Sequence, residues 1–140
     1  MIRGVFSRFR DLPAKVADDF PIRAYLVFAS VYAALELVKH ADLLYPNPVS
    51  AWAGVLGLLF AVVHLFIASP LFILYVSANA KPKILLSVPL LILGYYALNV
   101  IQLQWTGGQD VPVWIDVGIS TLIDVYVLAL TAHVMFSTHR

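Results

Sequence analysis

Two residues of this chain carry chemistry that solvation alone does not explain. His64 is the single ionisable side chain of its kind in residues 43–80, a run of 38 residues without Asp, Glu, Lys or Arg, and Asp124 stands alone among apolar neighbours near the C-terminus. An imidazole relays protons near neutral pH, and a carboxylate accepts them. His64 lies thirteen residues after Ala51 and Asp124 eleven after Val113. If those positions begin helices, a rise of ~1.5 Å per residue brings both side chains to similar depth, where they can meet as a hydrogen-bonded or ionic pair. Asp116, Ser120, Asp124 and Thr131 share a helix face at offsets of four, eight and fifteen residues. One reading is a proton or cation path, with the hydroxyls of Ser120 and Thr131 extending an Asp124–His64 relay. The simpler one is an interhelical latch, or hydroxyls bonded back to their own helix.

A second polar group comprises Glu36, Lys39, His40 and Asp42, then Asn99, Gln102 and Gln104, then Asp116. Glu36 and His40 are four apart on one helix face, so with Asp116 they have the residue types for a divalent metal, but equally for a local ion pair. A solvated vestibule or the entrance of a small ligand explains the group without a metal, and no metal or cofactor is expected. His64 and His133 lie at different depths, which speaks against a bis-histidine haem. There is no phosphate-cradling glycine loop, no His-Glu-x-x-His and no nucleophile elbow, so no catalytic residues are assigned. Without cysteine, thiolate ligands and nucleophiles are excluded together.

The elements that must hold these residues are apolar helices. With 61% hydrophobic and 12% charged residues, the chain is far from the roughly 25% charged average of soluble domains. A bilayer-crossing helix takes about 20 apolar residues. Charge-poor windows at about 22–44, 51–77, 84–105 and 113–137 predict an all-α, integral membrane four-helix bundle over residues 22–140, preceded by an arm at 1–21. Pro46-Asn47-Pro48, Lys81-Pro82-Lys83 and Thr106-Gly107-Gly108 supply the turns. Four spans collect Arg3, Arg8, Arg10, Lys15, Arg23, Lys81, Lys83 and Arg140 on one side and leave Lys39 on the other, which predicts both termini on the cytoplasmic side. Glu36 and His40 then lie near the outer boundary, within snorkelling reach of water.

In the arm, Val5, Phe9, Leu12, Val16 and Phe20 recur at threes and fours beside Arg3, Arg8, Arg10 and Lys15, the pattern of a basic amphipathic segment lying at the interface, with Pro13 expected to kink or break it. On the second span Gly54, Gly57, Ala61, His64 and Ala68 form a small-residue stripe, a helix-packing face for the bundle or an identical neighbour. Pro70 removes a hydrogen bond within that span and disturbs the carbonyl of Phe66, close to His64.

Ala80-Lys81-Pro82-Lys83 leading into residues 85–91 resembles small four-span proteins of the lysosome-associated and MARVEL kinds. Residues 117–124 are similar to the first span of GtrA-type polyprenyl-sugar flippases, although here they fall in the last span. These likenesses are local and transfer no function. The reading from the residues is an accessory, assembly or adaptor subunit, partnered by lipid and by other membrane proteins or its own copies and not by nucleic acid. The alternative is a small oligomeric transporter or proton-conducting subunit using His64 and Asp124, and a weaker one is a lipid-binding protein or intramembrane enzyme. A bacterial inner membrane, a eukaryotic endomembrane and an organelle membrane all fit.

Overall fold

The computed structural model describes residues 2–44, 48–105 and 113–136, and among them every element is helical. Helix α1 is Ile2–Lys15, α2 Phe20–Leu44 and α3 Val49–Val63. A π-turn, His64–Ala68, joins α3 to α4, Ser69–Ala78. A 3-10 turn at Lys83–Leu86 leads into α5, Ser87–Trp105, and α6 is Val113–Phe136. Four helical stretches are long and apolar enough to cross a membrane: Phe20–Asp42, Ala51–Ala78, Lys83–Ile101 and Ile115–Phe136. The helix boundaries fall within about two residues of the charge-poor windows, since the same apolar runs define both.

Helix α2 is the hub, packed along α3 on one side and α6 on the other, while α5 closes the bundle against α4 and α6. The stripe Ala29 and Ala33 is fully buried, which lets the neighbours of α2 come close, and Leu26, Val127, Leu130 and Val134 fill the space between α2 and α6. Beside this apolar core, large apolar side chains also cover the outside and several polar groups lie within. Leu58, Phe66, Leu74 and Leu122 point outward, whereas His64, Ser69, Ser120, Asp124 and Thr131 are buried.

Local chemistry explains where the helices begin and bend. Asp19 caps α2: its Oδ1 accepts the Ile22 N–H at 3.4 Å and its carbonyl accepts the Arg23 N–H at 3.0 Å, with Pro21 in the first turn where no N–H is needed. Pro70 lacks the N–H that would bond the Phe66 carbonyl, and the chain absorbs the fault by an extra residue in one turn, Ser69 N–H reaching five residues back to the His64 carbonyl. The hydrogen bond lost at Pro70 is thus taken up by a π-turn that begins at His64. Helix α4 ends with Ala80 in the left-handed region, φ 52°, and the Lys81 N–H bonded to the Val76 carbonyl at 3.0 Å, a Schellman cap with alanine where glycine is usual.

The arm departs from expectation at Pro13. Helix α1 runs through it to Lys15, because the Phe9 carbonyl that Pro13 leaves without a donor accepts a hydrogen bond from His133 Nε2 of α6 at 2.6 Å. The His133 ring also stacks on Phe9, with centroids 4.8 Å apart. Leu12 and Val16 are fully buried against the bundle, whereas Phe20, grouped with the arm by spacing, begins α2 and points outward at 79% exposure.

Candidate functional site: a polar ladder along helix α2

Asp19, Tyr25, Tyr32, Glu36 and His40 follow one another along α2 and its cap, and each meets a polar or aromatic partner from another element. Their spacings of six, seven, four and four residues correspond to steps of roughly 6–10 Å along a helix axis. At the arm end Asp19 is almost fully enclosed, with Lys81 Nζ at 2.8 Å from Oδ2 and the Tyr75 hydroxyl donating to Oδ1 at 2.9 Å. Burial raises the Asp19 pKa, but the hydrogen bonds from Lys81, Tyr75 and the Ile22 N–H together with the Lys81 charge outweigh it, so the carboxyl titrates below the ordinary range. The same contact with Asp19 raises Lys81.

The next rung is His64. Its Nε2 is 2.7 Å from the Tyr25 hydroxyl, its ring is completely buried, and Nδ1 has no partner among the described residues. Tyr25, Phe28, Tyr32 and Tyr96 surround it with ring centroids 5.7–6.5 Å away. Tyr32 and Tyr96 form the third rung, edge to face at 6.4 Å, with the Tyr96 hydroxyl unpartnered among the described residues.

The fourth rung pairs two acids. The Asp124 carboxyl, 3% exposed, faces that of Glu36 and the hydroxyl of Ser120, and neither Asp124 Oδ2 nor Ser120 Oγ finds a hydrogen-bond partner among the described residues. Beyond it, Thr121 Oγ1 lies 3.3 Å from His40 Nδ1, and the Tyr95 hydroxyl donates to Asp116 Oδ1 at 2.6 Å.

His64 and Asp124, expected as each other's partners, are both interior but take different ones, Tyr25 and Glu36. The outer group divides likewise: Asp116 goes to Tyr95, with Asn99 nearby, and His40 to Thr121, while the half-buried Glu36 neighbours Asp124. The Gln102 side chain lies outside the described residues. Among those described, no three His, Asp or Glu side chains converge as metal ligands. Thr131 is a latch, donating to the Leu26 carbonyl of α2 at 3.2 Å.

Ala61 and Ala68 pack against the core, but no atom lies within 4 Å of where a Cβ on Gly54 or Gly57 would stand, apart from the helix's own backbone. Among the described residues no neighbour therefore requires glycine at either position, although Gly57 is itself buried. Spacing missed three tyrosines around His64: Tyr25, Tyr32 and Tyr96. Tyr25, Tyr32 and Glu36 sit seven and eleven residues apart, a helical face, and that periodicity was the available signal.

No protein-family model, curated protein or solved structure matches this chain. Its chemistry therefore rests on the ladder itself.

Proposed function

We propose that the chain is an integral membrane protein of four spans, with both termini and the α1 arm on the cytoplasmic side, and that its bundle is a proton- or cation-handling unit. The membrane reading is supported by four apolar helices of spanning length, by large side chains such as Leu58, Phe66 and Leu122 turned outward, and by polar groups turned inward. The observation that carries the functional reading is the Glu36–Asp124 pair, set in line with Tyr32, Tyr96, His64 and Tyr25. Ionisable residues inside a membrane span are expensive and turn toward a partner or an ion path. Two neighbouring carboxyl groups, Asp124 buried and Glu36 half-buried, are held together by a shared proton or a bound cation. The imidazole and the tyrosine hydroxyls continue that chemistry toward Asp19 and Lys81.

The test is flux in liposomes containing the purified protein, read with an enclosed pH-sensitive dye under an imposed potential. Wild type is expected to dissipate the gradient, and Asp124→Asn and Glu36→Gln to fall to the level of empty liposomes while keeping the wild-type helical content. Equal flux through all three proteins and empty liposomes defeats the reading.

The accessory-subunit reading has its own support at Gly54, a half-exposed position with no neighbouring atom within 4 Å of where its Cβ would stand, so another helix can approach closely there. Purification in gentle detergent with native mass determination separates the two. A fixed stoichiometry with other proteins favours the accessory role, and recovery as a homo-oligomer favours the self-contained one.

A further inference from the structure

Between α1 and α6 lies a cavity of ~660 Å³ lined by Arg3, Phe6, Ser7, Phe9, Arg10 and His133. Arg3, Ser7 and Arg10 stand at offsets of four and seven residues, one face of the helix, so two guanidinium groups and a hydroxyl open on the same space. Phe6 and Phe9 supply its apolar wall, and Phe6 is 69% exposed on the outer side. The cavity exists because α1 is held at a fixed angle to α6 by the His133–Phe9 bond and by the burial of Leu12 and Val16.

From this arrangement we infer that the cleft between the arm and α6 binds one anionic glycerophospholipid, its phosphodiester between Arg3 and Arg10 and an acyl chain along Phe6. Guanidinium groups match phosphate oxygens by geometry as well as charge. Among the described residues no carboxylate lines the cavity. Asp11 lies outside it, with an oxygen 3.6 Å from Arg10 Nε and another 3.5 Å from Ser7 Oγ, both contacts being exposed. Exposed pairs of this kind are weak, and a guanidinium carries five N–H donors, so Arg10 keeps donors for a phosphate. A soluble phosphate would use the arginines and leave the phenylalanine wall idle. A phospholipid uses both, and the arm lies at the end of the spans where headgroups are found. The site rests on the membrane reading above but not on the Glu36–Asp124 chemistry.

Native mass spectrometry of the full chain in detergent, titrated with phosphatidylglycerol or phosphatidylcholine, tests it. One phosphatidylglycerol per chain is expected to bind in preference to phosphatidylcholine, with about fivefold of that preference lost for each of Arg3→Gln and Arg10→Gln. Phe6→Ser is expected to weaken both lipids alike, and Asp124→Asn to leave the preference intact, so that failure of the ion-handling reading does not disturb this result. Equal binding of the two lipids, a preference that survives the double arginine variant, or full displacement by millimolar inorganic phosphate would each overturn the site. Recovery of the chain without detergent defeats instead the membrane reading on which it stands.

Discussion

At the scale of single residues, the bundle's stability is concentrated in polar contacts that lipid cannot replace. Among the described residues His64 has one hydrogen-bond partner, the Tyr25 hydroxyl, and it is wholly enclosed. Tyr25→Phe therefore leaves a buried imidazole with none, at a cost of about 1–3 kcal/mol. Adding His64→Leu is expected to cost less than the sum of the single changes, because the polar group that lacked a partner is then gone. Unfolding in mixed micelles followed by circular dichroism reads both, and strict additivity would show that the bond contributes nothing. Asp19 and Lys81 make a prediction in pH. The Asp19 pKa is lowered on folding, so its contribution is present above the unfolded carboxylate value near 3.9 and is lost as pH falls through the folded one. Lys81 is raised, so its contribution is present below the unfolded value near 10.4 and is lost as pH rises through the folded one. Lys81→Gln is thus expected to destabilise the protein near neutral pH and to match wild type at strongly acidic pH. A difference between the two proteins that persists unchanged into acid would contradict the ion pair.

At the scale of elements, two prolines show how a missing N–H is accommodated in different ways. At Pro70 the helix itself adapts, by the π-turn that begins at His64. At Pro13 another helix supplies the donor, His133. The second arrangement predicts a coupling: His133→Ala is expected to cost about 1–3 kcal/mol in the wild-type background and distinctly less when Pro13→Ala has restored the intrahelical donor to the Phe9 carbonyl. Equal costs in both backgrounds, measured by the same unfolding assay, would mean that His133 acts only by stacking on Phe9. The turn after α4 offers a gain, since Ala80 occupies a left-handed position. Ala80→Gly is expected to raise stability by about 0.5–1 kcal/mol, and a loss of stability would show that the cap does not need that conformation relieved. Much at this scale was legible in the sequence, because charge-free length specifies helices directly. Residues 43–80 left no alternative, and the Lys81-Pro82-Lys83 turn was marked by composition. Contacts between helices were not legible. Spacing puts His64 and Asp124 at one depth but does not say which helices adjoin, and the partners came out as Tyr25 and Glu36. The role of His133 was hidden for the same reason, since a carbonyl without a donor on α1 is visible at Pro13 but its donor lies 124 residues away.

At the scale of the whole molecule, the proposed orientation rests on the placement of charge. Arg3, Arg8, Arg10, Lys15, Arg23, Lys81 and Lys83 fall at the ends where α1 joins α2 and α4 joins α5, while Lys39 alone among the lysines and arginines before residue 140 lies toward the other end. The ladder on α2 runs between these ends, from the Asp19–Lys81 pair to His40, so its direction relative to the membrane sets which compartment each terminus of the path would meet. Because the chain has no cysteine, single cysteines report orientation without a background. Ser7→Cys on the arm and Asn79→Cys beyond α4 are expected to react with a membrane-impermeant maleimide only when the cytoplasmic face of vesicles is accessible. Trp52→Cys, at the exposed start of the span Ala51–Ala78, is expected to react only from the opposite face. Positive residues are retained on the cytoplasmic side during insertion, and seven of them stand at one end here, so a single orientation is favoured over a mixture. Labelling of Ser7→Cys and Trp52→Cys from the same face would require an even number of crossings between them, or none, and would break the four-span arrangement, which has one, on which the direction of the ladder depends.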